Sequence, residues 1–261
     1  MSARIGGMAG RYRLFVAAIP VTFIAAVTKT TVHFLLSEPM PESMNPFFPS
    51  MLTGIIFLLG FFLAGLISDY KESEKIPNDI ATSLFIIWQE AEIARAKNGS
   101  PETAALIGKI RAFTPLFKED FLGSRGQKAF ELIESFSREF AAMDAFVPAP
   151  FMTRLRAEQA NLKKLLSRIN VIRDTEFIPG VFIIIKMIGF SFLGLSLFLN
   201  VNPWWIGVIL VSFFTFIFFS IIIFISDIED PFNYYGDYGR ADKVSLSVLD
   251  SFAERLEAAN N

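Results

Sequence analysis

Lys29 stands in a polar run, Thr28-Lys29-Thr30-Thr31, with His33, the only histidine, one turn further on. The residues on either side of this run are apolar, as they are around Lys186. An ammonium group surrounded by hydrocarbon costs at least a few kcal/mol unless it faces a cavity, a partner or an interface. A lysine facing a cavity would attract anions, so Lys29 and Lys186 are candidates for ion attraction. The competing reading is that each flexible stem carries its charge out to the headgroups. A further concentration of charge is Asp227-Ile228-Glu229-Asp230-Pro231-Phe232. A calcium ion takes six to eight oxygens, commonly from several carboxylates, and these acids could supply some. The same run also reads as a helix-terminating turn, with its acids in solvent and Phe232 docked on protein.

Other chemistry finds little support. There is no cysteine, hence no disulfide framework, no thiolate metal site and no thiol nucleophile. Glycine-rich phosphate loops and metal-spaced histidine clusters are missing, and the single histidine lies in an apolar segment far from any nucleophile motif. The residues therefore point away from an enzyme, and no cofactor or metal is expected. A net charge of −2 over 261 residues argues against a nucleic-acid partner.

The elements that must position these residues are membrane helices. The chain is 52% hydrophobic and phenylalanine fills 30 positions. Residues 204–226 (WWIGVILVSFFTFIFFSIIIFIS) carry no charge over a length that spans a hydrocarbon layer of about 30 Å at about 1.5 Å per residue. Residues 178–199 are interrupted only by Lys186, and residues 50–68 reach Asp69 without a charge. Residues 12–36 are broken by Lys29 and His33. Arginines ahead of a short apolar run also fit a signal peptide, but no A-x-A pattern follows, so the segment reads as a retained first span. Cytoplasmic loops gather Lys and Arg. Residues 69–177 hold 16 basic and 16 acidic residues, whereas the 37–49 and 200–203 connections hold no Lys or Arg. With Arg4, Arg11 and Arg13 near the start and Arg240, Lys243 and Arg255 in the tail, four spans place both termini and residues 69–177 in the cytoplasm. The expected location is the cell inner membrane.

Helical spacing marks the region between the second and third spans. Ile80, Leu84, Ile87, Trp88, Ala91 and Ala94 form one stripe, and Phe130, Ile133, Phe136 and Phe140 another. Ser100-Pro101-Glu102 reads as a helix start. Pro148 and Pro150 break the pattern, and it resumes over 151–175 through Leu155, Leu162, Leu165, Ile169 and Ile172. The expected fold is all-α and integral to the membrane. It divides into helices 1 and 2 (1–68), a helical cytoplasmic region (69–177), helices 3 and 4 (178–227) and a cytoplasmic tail (228–261).

This order resembles the bestrophins and the bestrophin-like membrane proteins of bacteria. The second span of that family carries an F-x-x-G-F core, then a polar exit, a tyrosine and a proline. The matching residues are Phe57-Leu58-Leu59-Gly60-Phe61, Asp69-Tyr70 and Pro77. After its last span the family has a D/N-P-F element beside acids, matched by Asp230-Pro231-Phe232. Calcium-regulated members continue with a denser run of acids, whereas this chain reads Asn233-Tyr234-Tyr235-Gly236-Asp237.

The resemblance implies an oligomer, expected to be a homopentamer, whose second spans surround a pore. Thr53, Phe57 and Phe61 share one helix face and would form a hydrophobic neck. Ser68 and Asp69 would form its mouth, and Gly54, Gly60 and Gly65 would let neighbouring helices approach. A narrow apolar ring blocks ions by dewetting, and aromatic edges carry partial positive charge that suits an anion such as chloride. The implied partners are the lipid bilayer, further copies of the chain and inorganic ions. From the residues alone, packing or lipid contact is the favoured reading of the phenylalanines, and the resemblance brings the neck level with it. The alternative from another class is a non-conducting membrane scaffold or sensor whose helical region binds a partner.

The charge distribution yields a direct test, because single cysteines can be introduced into a chain that has none. A membrane-impermeant thiol reagent applied from outside should label cysteine at Ser43 or Asn202 and miss cysteine at Gly99 or Asn260. Labelling at Gly99 would overturn the orientation.

Overall fold

A computed structural model describes residues 2–35, 47–123, 126–174, 179–228, 231–232 and 243–258. Among them the regular structure is entirely α-helical. The helices are α1 (Ser2–Leu35), α2 (Phe47–Asn98), α3 (Pro101–Gly123), α4 (Gln127–Met143), α5 (Ala149–Asp174), α6 (Pro179–Leu197), α7 (Trp204–Ile228) and α8 (Ser247–Ala258). They group into two compact units. The first comprises Met1–Tyr70, Glu176–Pro231 and Gly239–Asp242, and the second Lys71–Thr175, Phe232–Tyr238 and Lys243–Asn261.

The first unit belongs to a membrane. Phe15–Leu35 of α1, Phe47–Lys97 of α2 and Trp204–Ser226 of α7 each contain a stretch long and apolar enough to cross one, and α6 carries a shorter apolar stretch, Ile183–Leu197. Helices α1, α6 and α7 pack with close backbones, whereas the α2 backbone stands off from α6 and α7. It reaches them through side chains: Ile55 and Leu59 join Ile185, Phe192 and Phe218 in one buried cluster, and Leu66 joins Ile225 and Ile228 in another. The Phe48 ring stacks on Phe192 at 4.6 Å.

The polar exit of the second span does not end its helix. α2 runs 52 residues and includes Pro77, although a mid-helix proline removes one backbone hydrogen bond and costs about 3 kcal/mol. Packing offsets that loss, because Ile76, Ile80, Leu84 and Ile87 are all buried in the core of the second unit. Charged residues such as Lys71, Glu72, Glu74 and Lys75 do not oppose helix formation as such.

In the second unit α3, α4 and α5 run as successive antiparallel hairpins. Lys109 donates to Glu139 at 2.8 Å across α3 and α4, and near the other end Asp120 accepts from the Ala129 N–H at 2.9 Å. Asp120 thereby caps α4, whose own N-cap, Gly126, has no side chain to do so. Gln159 of α5 donates to the Ile133 carbonyl at 2.7 Å. A polar row joins α2 to α5: Arg168 with Glu72, Glu158 and Asn161 with Ser83, and Arg154 with Glu90. The guanidinium of Arg168, donating to both Glu72 oxygens, holds that carboxyl below its usual pKa.

Ser100 caps α3, accepting weakly from the Thr103 N–H at 3.4 Å. The expected break at Pro148 and Pro150 falls between α4 and α5, but α5 begins at Ala149 and so includes Pro150. Proline is tolerated in a first turn because its missing N–H would have had no intrahelical partner there. In the expected tail, Phe232, Val244, Leu249, Phe252 and Leu256 are buried in the second unit's core. Thus α8 packs on α3, aided by an ion pair between Lys118 and Asp250.

In the first unit Gly189 of α6 lies against the Phe218 ring of α7. A Cβ placed there would sit 1.7 Å from Phe218 Cζ, and Phe218 is itself buried. Gly189→Ala should therefore lower stability by about 1–3 kcal/mol, as overpacking does. Thermal melting in detergent checks it. The companion Gly180→Ala, where an added Cβ meets open space, should melt close to wild type.

Candidate functional site

A helix turns about 100° per residue, so positions two apart point in nearly opposite directions. On α2 this separates two faces. Ile55, Leu59 and Leu66 are buried against the first unit, while Thr53, Phe57, Phe61, Ala64 and Ser68 are exposed. Phe57 and Phe61 are 71% and 70% exposed, among the most open large apolar side chains described. Thr53 shares this face, and its hydroxyl donates to the Pro49 carbonyl at 2.8 Å, within its own helix. The three residues named for a neck are thus brought onto one open surface. Ser68 and Asp69 follow on the same helix and are also exposed.

Among the described residues nothing packs on the glycines of α2 from another helix. A Cβ added at Gly54, Gly60 or Gly65 would meet nothing within 4 Å.

Lys29 lies elsewhere in the unit. It is 6% exposed, and its Nζ donates to the carbonyls of Leu197 at 2.8 Å and Leu199 at 2.6 Å. The last carbonyls of a helix have no intrahelical donor, and the negative end of the helix dipole favours a cation there. The ammonium therefore caps the end of α6 and ties α1 to it, and its charge is held inside the unit rather than at its surface. Gly207 of α7 makes room for this stem, with Lys29 Cε 3.4 Å from where a Cβ would lie. The hydroxyls around Lys29 serve their own helix: Thr28, Thr30 and Thr31 donate to the carbonyls of Ile24, Ala26 and Val27. His33 stacks on Trp204 with ring centres 5.5 Å apart. Lys186 is half-buried on α6.

Among the described residues no group of three or more His, Cys, Asp or Glu is placed to hold a metal ion. Of the acidic run after α7, Glu229, Asp230 and 233–242 lie outside the described residues, and so does the side chain of Asp227.

Sequence reasoning missed the Lys29 cap and the burial of Phe218. The cap joins residues about 170 positions apart, and no local pattern signals it. Phe218 sits in a run apolar on every side, where periodicity carries no information.

No family model matches the sequence, and no curated protein matches it. Solved structures do share its fold. A crystal structure of a bacterial bestrophin homolog from Klebsiella pneumoniae is 13% identical with a TM-score of 0.72, covering 95% of this chain and 98% of that one. A second crystal structure of that homolog is 14% identical with a TM-score of 0.71, over 94% and 98%. A further structure, described as a membrane protein, is 13% identical with a TM-score of 0.73, over 95% and 96%. The likeness covers nearly the whole of each chain, and at this identity it is a likeness of fold.

The cap makes a prediction about Lys29. Hydrogen bonds to charged groups contribute about 1.5–3 kcal/mol, so Lys29→Met should lower melting stability by an amount of that order. Thr28→Val, which touches only its own helix, should change it little. Unchanged melting of Lys29→Met would show that the ammonium does not secure the end of α6.

Proposed function

We propose that the chain is the subunit of an oligomeric ion channel of bestrophin type, with four membrane spans and a helical cytoplasmic region. It would reside in the cell inner membrane with both termini in the cytoplasm. The observation that carries this reading is the exposed face of α2. Thr53, Phe57 and Phe61 point away from every helix of their own unit, while the opposite face does the packing. The whole-chain likeness to bestrophin homolog structures supports it.

A homo-oligomer closes by cyclic symmetry, here with five copies. An axis beside the exposed face of α2 turns each phenylalanine into a ring of aromatic side chains and makes a neck. The ring at Phe57 and that at Phe61 lie about 6 Å apart along the helix, four residues at about 1.5 Å each. Two stacked apolar rings expel water at small radius. Their edges, turned inward, present partial positive charge to a passing anion, which makes chloride the proposed permeant ion. Ser68 and Asp69 follow the neck as its mouth, and Lys186 and Lys29 add positive charge to the same unit. The open surface at Gly54, Gly60 and Gly65 suits close approach of a neighbouring copy.

The test is flux from liposomes under separate chloride and cation gradients. Phe57→Ala with Phe61→Ala should widen and wet the neck and raise conductance severalfold, because dewetting is steep in radius. The matched control is Phe23→Ala with Phe213→Ala. Those rings are 68% and 56% exposed on α1 and α7 and should leave conductance near wild type. Phe218 is unsuitable as a control because it is buried, and its truncation would cost about 3–5 kcal/mol. A folded Phe57/Phe61 double variant that conducts as wild type does would make these rings packing residues.

A further inference from the structure

The membrane part of α2 is held from one side. Phe48, Ile55, Leu59 and Leu66 recur at intervals of seven, four and seven residues, a spacing that keeps them on one helix face. Phe57 and Phe61 lie on the other. Ile55, Leu59 and Leu66 are aliphatic, and contact between aliphatic surfaces is non-directional. Ile55 and Leu59 also border an open cleft against Ile185 and Ile188 of α6, so their contacts tolerate a shift of the helix. Phe48, in the first turn of α2, is different. Its ring stacks on Phe192 of α6 at 4.6 Å and 28°, with the Phe214 ring of α7 6.3 Å away. Phe214 in turn meets Phe192 nearly edge-on, at 6.2 Å and 79°. The three rings close a triangle, and aromatic pairs depend on both distance and orientation. Phe192 and Phe214 stand on a firm base. Their helices pack so closely that the Phe218 ring of α7 fills the place of a Cβ at Gly189 of α6, and Phe192 is itself buried. At its start, α2 is therefore spaced from α6 and α7 by the Phe48 ring.

We propose that Phe48 is the positioning residue of the neck: its ring spaces the start of α2 from α6 and α7 and so sets the radius at Thr53 and Phe57. This rests on the reading of α2 as the pore-lining helix. Thr53 and Phe57 lie about 7.5 Å and about 13.5 Å beyond Phe48 along the helix, at about 1.5 Å per residue. Removing the ring lets the start of α2 settle toward α6 and α7, away from the axis. The neck then widens most where it is nearest Phe48. Phe48 meets no permeating ion and acts through Thr53 and Phe57.

The test is ion flux from liposomes, together with the rate at which a water-soluble thiol reagent modifies Thr53→Cys or Ser68→Cys. Phe48→Ala should raise flux severalfold. It should also speed modification at position 53 more than at position 68, a gradient that lost stability alone does not produce. Phe48→Leu, which lacks the ring, should raise flux in the same direction, whereas Phe48→Tyr, which keeps it, should match wild type. Phe48→Ala with Phe192→Ala should exceed Phe48→Ala little, since both remove one shared contact. Phe15→Ala, which breaks a stack with Phe216 between α1 and α7, should leave flux near wild type. Wild-type flux in folded Phe48→Ala overturns the proposal, and so does equal acceleration at positions 53 and 68. Should Phe48→Ala not fold, the contrast between Phe48→Leu and Phe48→Tyr decides, and equal flux in those two overturns it. If Phe57→Ala with Phe61→Ala raises flux while the Phe48 variants do not, the neck reading stands and this proposal falls. If none of them does, both fall.

Discussion

A helix can bury only the side that meets its neighbours, and α2 obeys this rule in both units. In the first, its buried residues are Ile55, Leu59 and Leu66. In the second, Ile76, Ile80, Leu84, Ile87 and Ala91 are buried at the same helical spacing. Everything on the other side of the helix is left to something outside the protomer. In the second unit that side bears residues such as Lys75 and Asp79, whose charges suit water. In the first it bears Phe57 and Phe61, whose rings do not. The functional reading rests on this contrast along one helix.

The rest of the first unit shows how polar groups survive among apolar helices. With no water at hand, a polar group there gains by finding a partner inside the protein, and of the described residues Ser220 on α7 is one whose buried hydroxyl finds none. Threonine and serine do so locally: Thr22, Thr215 and Ser212 each donate to the carbonyl four residues back in the same helix. Lys29 cannot, because its charge needs more than one oxygen, and it takes the carbonyl of Leu197, the last residue of α6, together with that of Leu199 just beyond. One lysine and one helix end thereby resolve each other's problem. Polar residues in an apolar span therefore need not line a vestibule, and the residue types alone do not tell the two outcomes apart.

How much could be read in advance follows from where periodicity exists. The stripes over 79–97 and 125–143 alternate with charge, and their members Ile80, Leu84, Ile133, Phe136 and Phe140 are core residues. Leu249, Phe252 and Leu256 of α8 carry the same three-and-four spacing, a pattern that the reading of 228–261 as a plain tail passed over. Continuity of α2 was not legible, because Pro77 and the charged run before it read as a boundary while the packing that outweighs them is tertiary. In α6 and α7 nearly every side chain is apolar, so the buried Phe218 and the exposed Phe213 look alike in sequence. The spacing of Thr53, Phe57 and Phe61 showed that they share a face. Only the packing of Ile55 and Leu59 shows that this face is the open one.

The glycines of α2 bear on what meets that open face. Glycine costs a helix about 1 kcal/mol relative to alanine, and Gly54, Gly60 and Gly65 lie within twelve residues of one another. Where a glycine is needed inside the protomer the reason is visible: at Gly189 the Phe218 ring fills the place of a Cβ. At the three α2 positions an added Cβ would meet no described atom within 4 Å beyond its own helix's backbone, so packing among the described residues offers no return on that cost. Lipid offers none either, since an acyl chain packs against alanine as readily as against glycine. Another protein surface does, because a small residue lets two backbones come close and gain dispersion contacts along their length. Glycines beside exposed phenylalanines on the same helix therefore favour a second copy of the chain against α2 over a surface left to lipid. That argument from conformational cost is independent of the fold likeness to the bestrophin homologs, and it supports the proposed assembly.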